Sequence, residues 1–318
     1  YSILNYNHIQ YKYEILDKIG KGQYGSVAKV LDHSNLKERA IKIMRENNKY
    51  KESYYIEITT LLFLRSKIVD DINKDLLIDL IPEVIDYFKF RRHNMIVYDY
   101  YSDNLYDSII KRKTLIGIDK IRIIMRDLLN TLIYLKKHNI IHGDLKPENI
   151  LFRNDTGWNI VIIDYGLSIK GNESKYFNIQ SMWYRAPEII FKVPYDFRID
   201  LWSLGCIFYE LYFGVAPFRA KIEADLLKEL YMKLGQPSID YLHYISYCED
   251  LSNERINLYK FYKNLNKKYK IMNKSFITKQ NIEEDLNVID IIQRIFEYNP
   301  NKRITYEEIL NTDLFKIQ

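Results

Sequence analysis

The chain has 318 residues, enough for one large domain or two smaller lobes around a sizeable core. At 47% hydrophobic and 28% charged it has the composition of a soluble globular protein. The net charge of +5 is spread along the chain, which argues against a nucleic-acid-binding arm. Two cysteines, Cys206 and Cys248, exclude a disulfide framework, and no apolar run reaches the roughly 20 residues that span a bilayer. The expectation is an intracellular protein of the cytoplasm or nucleus, without direct nucleic-acid or membrane partners. Starting at Tyr1 and not at Met, the sequence is expected to be trimmed from a longer one.

In chain order, strands are predicted over Tyr13–Ile19 and Ser26–Leu31 on either side of a glycine turn, then over Glu38–Met44. Tyr54, Ile58, Leu61 and Leu62 recur at helical spacing within a helix from about Tyr50 to Arg65. Strands follow over Ile81–Phe90 and Asn94–Tyr98. Beyond Leu105 the pattern turns helical, with an amphipathic segment Asp119–His138 carrying Ile123, Leu128, Leu132 and Leu135. Ile150–Arg153 and Ile160–Ile163 read as short strands around a turn at 154–157, and Ile199–Phe213 as a buried helix. The fold class is therefore α+β: a small β-rich lobe over about 11–98, a connection over about 99–103, and a larger α-rich lobe over about 104–316. Residues 1–10 form an N-terminal extension.

Gly20, Gly22 and Gly25 make Gly-x-Gly-x-x-Gly between two strands, a turn whose backbone N–H groups can approach phosphates without Cβ obstruction. Lys42 follows in the next strand, and Glu57 lies on the helix after it. A carboxylate beside the ammonium would keep Lys42 charged and aimed at phosphate oxygens. Glu52 competes for this role, but Glu57 begins the apolar part of the helix. The strongest signal is His142-Gly143-Asp144-Leu145-Lys146-Pro147-Glu148-Asn149 followed by Asp164-Tyr165-Gly166. Asp144 is placed to accept or orient the proton of an attacking hydroxyl, and Lys146 to offset charge on a transferred phosphoryl group. Asn149 and Asp164 supply oxygen ligands for Mg²⁺. His142 reads as a packed imidazole, since Asp144 fills the acid–base role. The other histidines show no metal-ligand spacing.

Together with Ala186-Pro187-Glu188, Asp200-Leu201-Trp202-Ser203-Leu204-Gly205 and Asn299-Pro300-Asn301-Lys302-Arg303, these motifs resemble the protein kinase family from about Tyr11 to Phe315. Tyr184-Arg185 ahead of Ala186, and Leu234-Gly235-Gln236-Pro237 opening an insert over about 236–285, resemble the CMGC group. Asn104-Leu105-Tyr106-Asp107 and Ile179-Gln180-Ser181 resemble the dual-specificity tyrosine-regulated (DYRK) kinases within it.

The resemblance implies a bilobal kinase fold, ATP and Mg²⁺, and transfer of the γ-phosphoryl to Ser or Thr of protein substrates, often before proline. It implies an ATP cleft between lobes, with Ile19, Val27, Ala40 and Leu151 around the adenine and the backbone of Asp99 and Tyr101 beside it. Tyr98 would be a bulky gatekeeper, and Asn104 would stand by the nucleotide. Glu188 would pair with Arg303, Asp200 would bond the backbone near His142, and Arg185 would shape the pocket for proline. A monomeric catalytic domain is expected.

Two departures bear on regulation: Asn178 stands where DYRK kinases phosphorylate their own tyrosine, and Met182 stands where an arginine follows the serine. Like those kinases, the chain has no arginine between His142 and Asp144, though Gly143 stands where they usually carry Cys. A phosphate and its cationic clamp act as a pair. With both halves missing, the activation segment is expected to be held by packing, through Phe177 and Trp183, while Ser174, Tyr176 and Ser181 stay open as modification sites. Two alternatives stand beside this reading. One is a splicing-factor kinase of the CLK or PRP4 type, and the other is a pseudokinase scaffold, against which Lys42, Asp144, Asn149 and Asp164 all speak. The insert reads as a solvated elaboration.

Overall fold

Alternating apolar residues over the first hundred positions build an antiparallel sheet, and helical periodicity dominates most of the remaining chain. The computed structural model describes residues 8–9, 11–22, 25–46, 48–171, 178–252 and 283–316. The elements up to the middle of the chain are β1 (His8–Ile9), β2 (Tyr13–Lys21), β3 (Gly25–Asp32), β4 (Lys37–Met44), α1 (Asn48–Ile68), α2 (Lys74–Leu80), β5 (Val84–Phe90), β6 (His93–Asp99) and α3 (Ile118–Lys137). After them come β7 (Ile140–Ile141), β8 (Ile150–Phe152), β9 (Ile160–Ile162), β10 (Ile169–Lys170), α4 (Pro187–Ile190) and α5 (Arg198–Phe213). The last are α6 (Glu223–Leu234), α7 (Ile239–Ser252), α8 (Glu283–Ile295), α9 (Tyr306–Leu310) and α10 (Asp313–Lys316). The chain divides into two compact units, Tyr1–Asn104 with Asn149–Ser168, and Leu105–Glu148 with Ile169–Gln318.

The first unit is β-rich. Its sheet has the order β1-β2-β3-β4-β6-β5, all antiparallel where paired. Period-two alternation sends Ala28, Val30, Ile41, Ile43, Met95 and Val97 to one face, where Ile9 and Tyr13 complete the cluster. Met44 and Ile96 face the other way and meet Tyr54 and Ile58 of α1. The inner stripe of α1 runs Tyr54, Ile58, Leu61, Leu64 and Ile68. Leu62, expected on that stripe, is 43% exposed, because the 3.6-residue period passes from 61 to 64.

The strand expected from Ile81 begins at Val84 instead. Ile81 closes α2 by donating its N–H to Leu77 O, and Pro82 after it cannot extend the helix. The hairpin β8–β9 also belongs to this unit, so the boundary is not one crossing near 99–103. Ser102 N–H donates to Phe152 O and Phe152 N–H donates to Asp103 O, which lays the segment leaving β6 along β8. Local pattern shows the hairpin but not what it leans on.

The second unit is helical around α5, whose residues Ile199 to Leu211 are all buried. Leu128, Leu132 and Leu135 of α3 are buried as expected, while Ile123 is 36% exposed and Ile121, Ile124 and Met125 carry the inner face. In α7, the first part of the insert, Tyr241, Leu242 and Ile245 are buried, with the Tyr241 ring 6.5 Å from Phe191. That part belongs to the core, contrary to the solvated reading, and 253–282 lie outside the described residues. Arg303 donates to both oxygens of Glu188 at 2.6 Å, to Glu297 O at 2.7 Å and to Arg198 O at 3.1 Å, and its guanidinium lies 5.0 Å from the Trp202 ring. This fork joins α4, α5 and the turn after α8.

Removing one member of a buried pair leaves the other charge uncompensated. Glu188→Ala is therefore expected to lower unfolding stability by about 3–5 kcal/mol. A urea titration reads this as an earlier midpoint with unchanged slope.

Candidate active site

The first unit carries a cluster centred on Lys42. The register pairs Val27 with Lys42, Lys42 with Ile96, and Ala40 with Tyr98, which places Val27, Ala40, Lys42 and Tyr98 on one face of the sheet. The Lys42 ammonium donates to Glu57 Oε2 at 2.6 Å and to Asp164 Oδ1 at 2.8 Å. Burial alone would depress this lysine, but the two carboxylates outweigh it and hold the ammonium above its ordinary range. Burial pushes the Glu57 carboxyl up, with Lys42 opposing. Tyr98 donates its hydroxyl to Glu57 Oε1 at 2.8 Å, and burial, then Glu57, raises its own ionisation well above the usual phenol range.

Asp164 sits at φ +65°, in the left-handed region that Asp tolerates better than most residues. Ile163 N–H donates to Asn149 O at 2.9 Å, so Asn149 and Asp164 lie at the same end of the β8–β9 hairpin. Both are hard oxygen donors. Of the glycine turn, Gly22 N–H donates to Gly25 O at 2.9 Å, and Arg45 donates to Gly22 O at 3.2 Å. A Cβ on Gly25 would lie 1.9 Å from Ile43 O, so close strand approach demands this glycine whatever the turn binds. Ile19 is exposed on β2, and Leu151 on β8 bridges to Asn104. Asp99 ends β6 with its side chain paired to Arg39, on the sheet face away from Lys42, and Tyr101 follows in the segment laid against β8.

The second unit carries a cluster centred on Asp144. Its Oδ2 accepts from Lys146 Nζ at 2.7 Å, and its Oδ1 accepts from the Ser181 hydroxyl at 2.8 Å and backbone N–H at 3.1 Å. Lys146 also donates to Ser181 Oγ at 3.1 Å. Motif reading marks Ser181 only as a modification site; here it aims the Asp144 carboxylate. Its sequence signal is the Ile-Gln-Ser string, which marks the position but not the bond. His142 is fully buried and accepts the Asp144 N–H on Nδ1 at 3.2 Å. Asp200 of α5 accepts the N–H groups of His142 at 2.7 Å and Gly143 at 3.0 Å. Burial pushes the Asp200 carboxyl up, while His142 and these two donors pull it down. Gly143 stands at φ +78°, a conformation that favours glycine.

Gln180 anchors the activation segment, and motif reading misses it as a working residue. Its N–H donates to Gly143 O at 2.8 Å, its side-chain amide donates to Ile199 O and Ser203 Oγ at 2.9 Å, and its Oε1 accepts from Ala186 N–H at 2.9 Å. Arg185 donates to Gln180 O at 2.9 Å and to Glu223 at 2.8 Å. Trp183 donates to Ala220 O at 3.0 Å and is 39% exposed, so a hydrogen bond accompanies whatever its ring packs against. Asn178 is exposed, and Ser174, Tyr176 and Phe177 lie outside the described residues.

A lysine clamped by two carboxylates on a β-rich unit, and an Asp–Lys pair pinned to a buried helix on an α-rich one, are the parts of a protein kinase domain. The family model for that domain matches residues 13–315, and the chain belongs to the protein kinase family. Within it the chain is similar to the DYRK kinases. Dual specificity tyrosine-phosphorylation-regulated kinase 2 of Drosophila melanogaster is 38% identical over 239 residues, 74% of this chain and 32% of its own length. Dual specificity tyrosine-phosphorylation-regulated kinase 4 of Homo sapiens is 33% identical over 310 residues, 96% of this chain and 58% of its own. Probable serine/threonine-protein kinase dyrk2 of Dictyostelium discoideum is 33% identical over 317 residues, 98% of this chain and 34% of its own. The chain thus spans between about a third and three-fifths of these relatives.

Asp200→Asn replaces one of two acceptors with an amide N–H₂ that faces a backbone donor. Hydrogen exchange at the His142 and Gly143 amides is expected to quicken by about tenfold or more, with exchange in the sheet of the first unit unchanged.

Proposed function

We propose that this domain transfers the γ-phosphoryl of Mg-ATP to Ser and Thr hydroxyls of protein substrates, with a DYRK-like tolerance of proline after the target residue. The observation that carries this reading is the Lys42 ammonium held between Glu57 and Asp164 at 2.6 and 2.8 Å. A half-buried cation fixed by two carboxylates from separate elements is preorganised for phosphate oxygens. Asn149 and Asp164 offer one amide and one carboxylate oxygen, which suits an ion that keeps its remaining positions for water and phosphate, the habit of Mg²⁺. When bound, that ion neutralises charge building on the phosphates.

In the second unit, Asp144 orients the acceptor hydroxyl and takes its proton. Lys146 and Ser181 hold the carboxylate so that its rotation is not free. Arg185 occupies the carbonyl of Gln180, which turns at φ +62°. That carbonyl does not need a substrate N–H, so a proline, which has none, loses nothing there. The relatives include both dual-specificity and serine/threonine kinases by name; with Asn178 at the tyrosine position, serine/threonine transfer is the part we extend to this chain. The free thiols Cys206 and Cys248 support an intracellular site of action, in cytoplasm or nucleus.

The Gln180 bonds support an activation segment that holds its place without phosphate. Phosphatase treatment is expected to leave turnover unchanged, and a large loss would overturn that part of the reading. Degenerate peptides incubated with Mg-ATP are expected to be phosphorylated on Ser and Thr, with proline accepted next. Asp144→Asn is expected to lower kcat by about a hundredfold or more. Equal signals from wild type and Asp164→Asn would mark a scaffold and sink the kinase reading.

A further inference from the structure

Glu57 is 1% exposed, and its two carboxylate oxygens have different donors. Oε2 takes Lys42 Nζ at 2.6 Å and Oε1 takes the Tyr98 hydroxyl at 2.8 Å. The three residues come from β4, α1 and β6, so the carboxylate is gripped from two strands at once. One donor would leave the carboxylate free to turn about its Cγ–Cδ bond. Two donors on opposite oxygens fix its plane, and with it the direction in which Lys42 is pulled.

We infer that Tyr98 is a positioning residue: its hydroxyl fixes Glu57, which in turn holds Lys42 where the phosphates bind. The inference rests on the kinase reading for its consequence, though not for the bond itself. The ring alone would serve a merely structural role, filling space beside Met44, Tyr54, Ile58 and Ile96. Phenylalanine would do that equally well. What phenylalanine lacks is the donor, and a buried carboxylate oxygen left without one is costly.

The test is a double-mutant cycle on the full chain with Tyr98→Phe, Glu57→Gln and both. Phe keeps the ring in the core, so folding is preserved. With Mg-ATP and a peptide substrate, Tyr98→Phe is expected to lower kcat/KM for ATP about tenfold while KM for the peptide stays unchanged. In the Glu57→Gln background, the same change is expected to cost less than twofold, because the hydroxyl acts through the carboxylate. A loss below twofold with Glu57 present, or the same tenfold loss without it, overturns the inference while the kinase reading stands. If the wild-type chain shows no turnover, the kinase reading falls, and the urea midpoints of the four proteins decide the bond. Non-additive midpoint shifts support it, and additive ones overturn it.

Discussion

An ammonium largely withdrawn from water stays charged at low cost only beside carboxylates, and the first unit is arranged around that requirement at Lys42. The strand that carries it must be flanked by a helix bringing Glu57 within 2.6 Å and by a turn bringing Asp164 within 2.8 Å. Helix α1 reaches that position because Tyr54 and Ile58 bury against Met44 and Ile96, on the same sheet face as Lys42. The hairpin β8–β9 delivers residue 164 because its own strand is bonded to the segment leaving β6. Apolar packing sets the distances, and the charges then make those distances consequential.

In the second unit the corresponding constraint is a buried helix with one polar stripe. Asp200, Ser203 and Glu210 share a side of α5 that is otherwise apolar. Asp200 takes two backbone donors of the loop before Asp144, Ser203 links Gln180 and the carbonyl of Tyr184, and Glu210 accepts the Tyr184 hydroxyl at 2.7 Å. Each bond satisfies a buried polar group that would otherwise be costly. The catalytic loop and the described part of the activation segment thus hang from one rigid element. Neutral and charge-assisted hydrogen bonds to one helix hold Gln180 and Tyr184 in place.

Much of this was legible in residue order. The strands around the glycine turn follow from alternation, α3 and α5 from periodicity and length, and the identity of Lys42, Asp144, Asn149 and Asp164 from motif spacing. Small errors came where a stripe had to be chosen: Leu62 and Ile123 are apolar yet face outward, since periodicity alone does not tell which edge of the stripe a neighbour covers. Tyr98 was readable as bulk but not as a donor, and Ser181 as a modifiable hydroxyl but not as the group that steers Asp144. Those roles depend on atoms more than thirty residues apart in the chain.

Residue types and their spacing by themselves determined the family and marked the candidate reacting groups, because chemistry requires certain side chains at certain intervals. Only the tertiary structure decided which oxygen of Glu57 each donor takes, that residues 149–168 belong with the sheet, and that Gln180 holds the activation segment. Hydrogen bonds are short-ranged and directional, and the distances and angles that make them exist only once the core has packed.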